Sequence, residues 1–213
     1  DDVLDSMYVE KMYFTIKKNS ADICLCGRKI FDEKCEKNLY LSTELEDSKL
    51  ISVKELETNY HHLTGEYQMS DSWNKIYRKQ FILNTNVHFV LPRQYNGTDL
   101  LFNYLLMLHC PKISIVNEPL YYYRITPISR VRRKDKHLEE GFNFILKELL
   151  KENRKCNGSI KIKHQILAAY VSMLKYASLD LMEEKGNVES SYRDVVEKRI
   201  AMSRNEILGD LRI

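Results

Sequence analysis

The chain has 213 residues, of which 44% are hydrophobic and 30% are charged, and its formal net charge is +3. This composition is typical of a globular protein with a sizeable core, enough for one domain or for one domain with a helical appendage, and it excludes a disordered chain. The charge is too small to indicate a nucleic-acid partner, and no apolar stretch approaches the roughly 20 residues of a membrane-spanning helix. Five cysteines without a disulfide-framework spacing predict reduced thiols and a cytoplasmic location.

The first third of the chain predicts a helix, a strand and a second helix. Asp5 is suited to cap a helix from about Ser6 to Lys18. The run A-D-I-C-L-C-G at residues 21–27 then predicts a strand that ends at its glycine. After a charged, hairpin-like region, apolar residues at helical spacing predict another helix near Ser52 to Leu63.

The middle of the chain predicts short elements around one apolar helix. The run W-N-K-I-Y at residues 73–77 predicts a strand, which a short helix follows at residues 78–83. Residues 87–89 predict another short strand. The strongly apolar segment 99–109 predicts a buried helix that Thr98 or Asp99 caps.

The last part of the chain predicts two strands and then helices. Residues 112–117 alternate as a strand does, and residues 120–124 predict its hairpin or crossover neighbour. Beyond Asp135, apolar residues recur at helical spacing in three blocks. The sequence therefore predicts an α/β part at residues 1–134 and a C-terminal helical subdomain at residues 135–213.

Two carboxylate motifs allow both a chemical and a structural interpretation. Asp99 stands where a turn gives way to a helix, so its carboxylate can accept a proton from a hydroxyl or can simply cap the helix. Adjacent Asp1 and Asp2 can hold a divalent cation that bridges phosphates, or they can form a solvated chain end. The residues alone leave all four interpretations open.

Two further motifs suit binding. Trp73, beside Asn74 and Lys75, can stack on a sugar ring while its neighbours bind hydroxyl groups, although a single tryptophan is more often half-buried on a strand. Basic residues also crowd the stretch after the tyrosine run, namely Arg124, Arg130, Arg132, Arg133, Lys134 and Lys136. This cluster suits a rim for a diphosphate or for an anionic membrane surface, and it equally suits a solvated loop.

The order of these motifs resembles that of family 2 glycosyltransferases with the GT-A fold. D-D-V-L-D-S-M-Y-V-E-K-M-Y is followed by N-S-A-D-I-C-L-C-G, then by S-W-N-K-I-Y-R, G-T-D-L-L-F-N-Y and P-L-Y-Y-Y-R, all between Asp1 and Arg130. The resemblance implies the acceptor-side half of a GT-A domain that begins at the acidic metal-binding motif, so that the chain starts in mid-domain. The family commonly has Glu-Asp where this chain has Thr98-Asp99, which leaves in doubt any role for a second carboxylate there.

The resemblance also implies an activity. It is the inverting transfer of a sugar from a nucleotide-diphosphate donor to a hydroxyl acceptor in a cell-surface polysaccharide or glycolipid. Asp99 would be the base, and Asp1 and Asp2 would ligate manganese or magnesium, with Asp1 the principal ligand. Trp73, Asn74 and Lys75 would border the acceptor. The donor diphosphate would contact Arg124, Ser129 and Arg130.

A function of another class stays open beside this one. A βαβ unit takes about 30 residues or more, and the family's donor half contains more than one. The chain could therefore be a non-catalytic fragment or a helical interaction module. Contact with a membrane surface and assembly into a homo-oligomer are also left open by the sequence. No dinucleotide, P-loop or G-x-S-x-G motif points to a further enzyme class.

Overall fold

A computed structural model of the chain describes residues 2–32, 35–40, 50–51, 71–90, 97–109, 111–125 and 138–156. Several predictions lie outside these residues: the helix near Ser52 to Leu63, the helical blocks beyond residue 156, and the site residues Asp1, Ser129 and Arg130. The described part is mixed α/β, which confirms the predicted fold class. Within it, no helix is long and apolar enough to cross a membrane.

The described strands form one sheet around a central parallel pair. They are β1 (Val3–Leu4), β2 (Ile23–Asp32), β3 (Cys35–Tyr40), β4 (Leu50–Ile51), β5 (Lys75–Tyr77) and β6 (Ile113–Ile125). Strands β2 and β6 run parallel side by side. Strands β5 and β3 pair antiparallel with the first and second halves of β2, and β4 and β1 do the same along β6.

The central pair is continuous where the sequence predicted breaks. The register shifts twice near Gly27, which faces Pro119, so β6 carries extra bulged residues there. A bulge tolerates a proline within a strand, so the prediction of two separate strands at residues 112–124 is wrong. A Cβ atom at Gly27 would lie 3.0 Å from the carbonyl oxygen of Glu118. The glycine therefore allows close backbone approach instead of ending β2, which contradicts the predicted strand end.

The described helices match their predicted positions within a few residues. They are α1 (Tyr8–Lys18), α2 (Lys79–Thr85), α3 (Thr98–Leu108) and α4 (Leu138–Lys155). The strand predicted at residues 87–89 is not present, because residues 87–90 have no regular secondary structure. Asn86 ends α2 in the left-handed conformation, after which only Val87 is buried and residues 88–90 are exposed.

Helices cover both faces of the central strands. Alternate residues of β2 point to opposite sides, as the pleat of a strand requires. Ile23 and Leu25 belong to a core with α3 and α4, whereas Cys24 and Cys26 belong to a second core with α1. Burial on both faces suits the parallel pair and explains the apolar run Ile23–Cys26 in the first half of β2. Cys24 and Cys26 are buried free thiols.

Candidate functional site

Asp99 lies in the first turn of α3 and is not its cap. Gly97 is the N-cap residue, with a left-handed φ of 92°, and no side chain caps the helix. The interpretation of Asp99 or Thr98 as the cap is therefore wrong, because the backbone of Gly97 makes the turn. The Asp99 side chain is half-buried, and its Oδ1 accepts the N–H of Leu100 at 2.9 Å.

Asn103, one turn further along α3, connects this helix to the segment before β5. Its side chain is fully buried. The Nδ2 atom donates to the backbone carbonyl of Asp99 at 2.9 Å and to the Ser72 hydroxyl at 3.0 Å, while Oδ1 accepts the Tyr77 hydroxyl at 2.6 Å. These bonds fix the start of α3 against β5. Sequence reasoning did not single out Asn103, although its position four residues after Asp99 was a usable signal.

Lys75 and Asn74 are buried, and their side chains form hydrogen bonds with each other and with the backbone. The Lys75 ammonium donates to Asn74 Oδ1 at 2.6 Å and to the backbone carbonyl of Asp71. Asn74 Nδ2 donates to the carbonyl of Cys26 at 3.1 Å. Burial lowers the pKa of Lys75 to about 7, although the charges of Asp71, Cys26 and Asp99 oppose the change. The amine of Lys75 is therefore buried and interacts electrostatically with Asp99.

The titration of Lys75 gives a testable pH dependence. Its pKa falls from 10.5 to about 7 on folding, so the unfolded chain binds more protons between these values and the free energy of unfolding rises with pH from 7 upward. Burial raises the pKa of Cys24 from 9.0 to about 11 and that of Cys26 from 9.0 to about 12, which reverses the trend above pH 9. Urea unfolding should show a gain of about 2 kcal/mol from pH 7 to 9. In Lys75→Met the gain should vanish, and an equal gain in both proteins would contradict this assignment.

Trp73 lies in the turn before β5, within a cluster of aromatic and charged side chains. Its ring centroid is 4.4 Å from that of Tyr121 and 5.5 Å from that of Tyr123. The Arg28 guanidinium lies 5.4 Å from the indole centroid, a cation–π contact, and 3.6 Å from the carboxylate of Asp71. The sequence left open that this tryptophan is simply half-buried on a strand. It is half-buried, but it lies in a turn and not on a strand.

Asp2 is bound by the second half of β6. Its Oδ2 accepts the Tyr121 hydroxyl at 2.6 Å, and its Oδ1 accepts the backbone N–H of Arg124 at 2.9 Å. The backbone of Arg124 therefore contacts Asp2. The carboxylate lies beside Tyr121, which also stacks on Trp73.

A series of contacts runs from Asp2 through Tyr121, Trp73, Arg28 and Asp71 to Lys75. Lys75 in turn interacts electrostatically with Asp99. Of the predicted site residues, Asp2 and Trp73 thus contact the same side chain, that of Tyr121. Arg28 and Asp71 were missed, because their roles depend on pairing between distant segments, although Asp71 stands two residues before Trp73.

Comparisons with known proteins agree with this fold. No protein-family model matches the chain. Over 145 residues the chain is 26% identical to a Bacillus subtilis (strain 168) protein named "Putative glycosyltransferase EpsH", a match that covers 66% of this chain and 40% of EpsH. The structure of S. aureus TarS 1–349 with UDP-GlcNAc aligns with a TM-score of 0.58 at 16% identity, over 81% of this chain and 46% of that one. The UDP complex of TarS 1–349 aligns with a TM-score of 0.53 at 18% identity, over 80% of this chain and 44% of that one.

These likenesses establish the fold of the described part. The chain shares the α/β arrangement of part of TarS, and it spans less than half the length of EpsH and of the TarS structures.

Proposed function

We propose that this chain is the acceptor-side part of a glycosyltransferase in cell-surface polysaccharide or glycolipid synthesis. The sugar would pass from a nucleotide-sugar donor to an acceptor hydroxyl group with inversion. The sequence match to a protein named as a glycosyltransferase, and the fold shared with a UDP-GlcNAc complex, favour this function over a non-catalytic fragment or interaction module. The observation that carries it is the series of contacts from Asp2 through Tyr121, Trp73, Arg28 and Asp71 to Lys75, which interacts electrostatically with Asp99.

Asp99 is the proposed base. The capping geometry of α3 does not depend on it, and its side chain lies in the first turn of the helix. An ionised carboxylate can take the proton from the acceptor hydroxyl while the hydroxyl oxygen forms a bond to the anomeric carbon. The bond from that carbon to the nucleoside diphosphate breaks with its electron pair, and the configuration inverts. Asn103 holds the backbone of Asp99 in place and is a positioning residue.

Asp1 and Asp2 are the proposed metal ligands. Carboxylate oxygens are the ligands that manganese and magnesium prefer, and each oxygen of Asp2 accepts one hydrogen bond and retains a second lone pair. Such an ion, when bound, neutralises charge on the leaving diphosphate. The ligand set therefore fits a hard divalent cation.

Some of the proposed binding residues would contact a ligand, and others would position the turn that carries them. Trp73 is the proposed acceptor platform, because its half-buried ring lies among Tyr121, Tyr123 and Arg28. Asn74 and Lys75 bond inward, so they would position this turn and the charge near Asp99. The donor diphosphate is assigned to Arg124, Ser129 and Arg130.

Residues 1–134 would form the GT-A part, and residues 135–213 a helical subdomain.

The proposal is tested with the full-length protein and a panel of nucleotide sugars. We expect slow release of nucleoside diphosphate from at least one of them with manganese or magnesium, and none with a chelator, because the cation bridges carboxylate and phosphates. Chromatography of the nucleotides measures the release. If none of the nucleotide sugars is bound or hydrolysed with either metal, the non-catalytic function is favoured instead.

A further inference from the structure

A second group of metal-ligating side chains lies at the opposite end of α3 from Asp99. His109 follows α3 directly, ten residues after Asp99 and thus about 15 Å away along the helix. Glu152 and Cys156 lie one turn apart at the end of α4, where the Cys156 N–H bonds the Glu152 carbonyl at 3.0 Å. We propose that His109, Glu152 and Cys156 bind a zinc ion that joins the ends of the two helices. This site does not depend on the proposed function.

The donor atoms are already near coordination spacing. His109 Nε2 lies 3.1 Å from Glu152 Oε1, and Cys156 Sγ lies 3.8 Å from each ring nitrogen of His109. The ligand atoms of the three residues all lie within 4.8 Å of one another. Zinc bonds of about 2.0–2.3 Å in a tetrahedral arrangement separate ligand atoms by about 3.3–3.6 Å. Small side-chain rotations therefore suffice to close the three ligands on one ion.

The ligand types select the metal. A thiolate, an imidazole and one carboxylate suit zinc, whereas magnesium and manganese prefer sites built of oxygen. Glu152 is also oriented from outside the cluster, because Lys155 donates to its Oε2 at 2.7 Å and leaves Oε1 toward His109.

The cluster lies between two packed helices and beside a cleft that is open to solvent. The two helices that carry it pack together through a buried core that includes Leu105, Leu149 and Leu150. Glu152 and Lys155 also line a cleft of about 220 Å³, and His88 lies along the same cleft. That volume holds an ion with several waters, each of which occupies about 30 Å³ in the liquid. A water can approach from this side as the fourth ligand.

The test uses cobalt as a spectroscopic substitute for zinc in the full chain. Cobalt should give a thiolate-to-cobalt charge-transfer band that saturates at one equivalent, and zinc should then abolish it. The variant Cys156→Ser should lose the band. Cys156→Ser and His109→Gln should each lower the zinc affinity by more than about a hundredfold, which exceeds the usual effect of changing a residue that only hydrogen-bonds to a metal ligand. Saturating zinc should also raise the melting temperature of the unaltered chain.

Glu148→Gln is the matched control. Glu148 lies on the same helix, one turn before Glu152, and lines the same cleft, but it pairs with Lys151 at 3.3 Å outside the cluster. This variant should bind zinc as the unaltered chain does. The proposal is overturned if cobalt gives no thiolate band with the unaltered chain, or if Cys156→Ser keeps that band. Should Cys156→Ser fail to fold, an unchanged zinc affinity in His109→Gln overturns it equally.

Discussion

Replacing Asp99 with asparagine is expected to lower sugar transfer by about a hundredfold or more in the full-length protein, because an amide cannot accept the proton of the acceptor hydroxyl. The fold should remain intact. Gly97 caps α3, Asn103 bonds the backbone of residue 99 and not its side chain, and an amide oxygen can still accept the Leu100 N–H. Donor binding should also survive, since the base acts on the acceptor. Transfer rate, donor affinity and melting temperature measured together separate the chemical effect from a structural one.

Asp5→Asn is the control for this experiment. Asp5 also accepts a backbone N–H near a helix start, that of Met7 at 2.9 Å, and it accepts the Tyr122 hydroxyl at 2.8 Å. Hydrogen bonds from Met7 and Tyr122 lower the pKa of Asp5. Removing the Asp5 carboxylate therefore affects stability at neutral pH and leaves the proposed base unchanged. We expect Asp5→Asn to transfer sugar at a near-normal rate. If Asp99→Asn does the same, Asp99 is not the base.

The local elements could be predicted because their signals are local. Apolar spacing located α1 and α3 within two or three residues, and the W-N-K-I-Y run located β5. The cap of α3 was missed because it depends on the left-handed backbone of Gly97 and not on a polar side chain. The continuity of β6 past Pro119 was missed for a related reason: only the neighbouring strand shows that the chain can bulge there.

The candidate site was predicted in its parts and not in its connections. Trp73 and Asp99 stand out in the sequence because their residue types are unusual in those surroundings. What joins them is tertiary: Arg28 reaches Trp73 and Asp71 from β2, and Asn103 reaches Ser72 and Tyr77 from α3. The inward bonding of Lys75 was likewise invisible, since a lysine in a polar run gives no sign that the fold will bury it. The sequence therefore indicated which residues to consider, and the packing shows which side chains contact them.

Substitutions in the acidic motif, Asp1 and Asp2, should have the second large effect, which is on nucleotide binding. In the full-length protein, a nucleoside diphosphate should bind at least about tenfold more tightly with manganese than with a chelator, because the cation bridges carboxylates and phosphates. Asp1→Asn should abolish this difference, and Asp2→Asn should reduce or abolish it. Calorimetry with and without manganese measures each affinity. Equal affinities for the unaltered protein in both conditions would remove Asp1 and Asp2 from the metal site.

Tyr121→Phe separates the proposed role of Asp2 as a metal ligand from its role as a hydrogen-bond acceptor. This change removes the hydroxyl that donates to Asp2 at 2.6 Å but keeps the carboxylate and a ring that can stack on Trp73. If Asp2 ligates the metal, Tyr121→Phe should keep the manganese dependence that Asp2→Asn loses. If Asp2 only fastens the start of the chain to β6, the two variants should weaken nucleotide binding alike, with and without manganese. Only Asp2→Asn removes the carboxylate charge. The comparison of the two variants therefore shows whether Asp2 acts as a metal ligand or only as a hydrogen-bond acceptor.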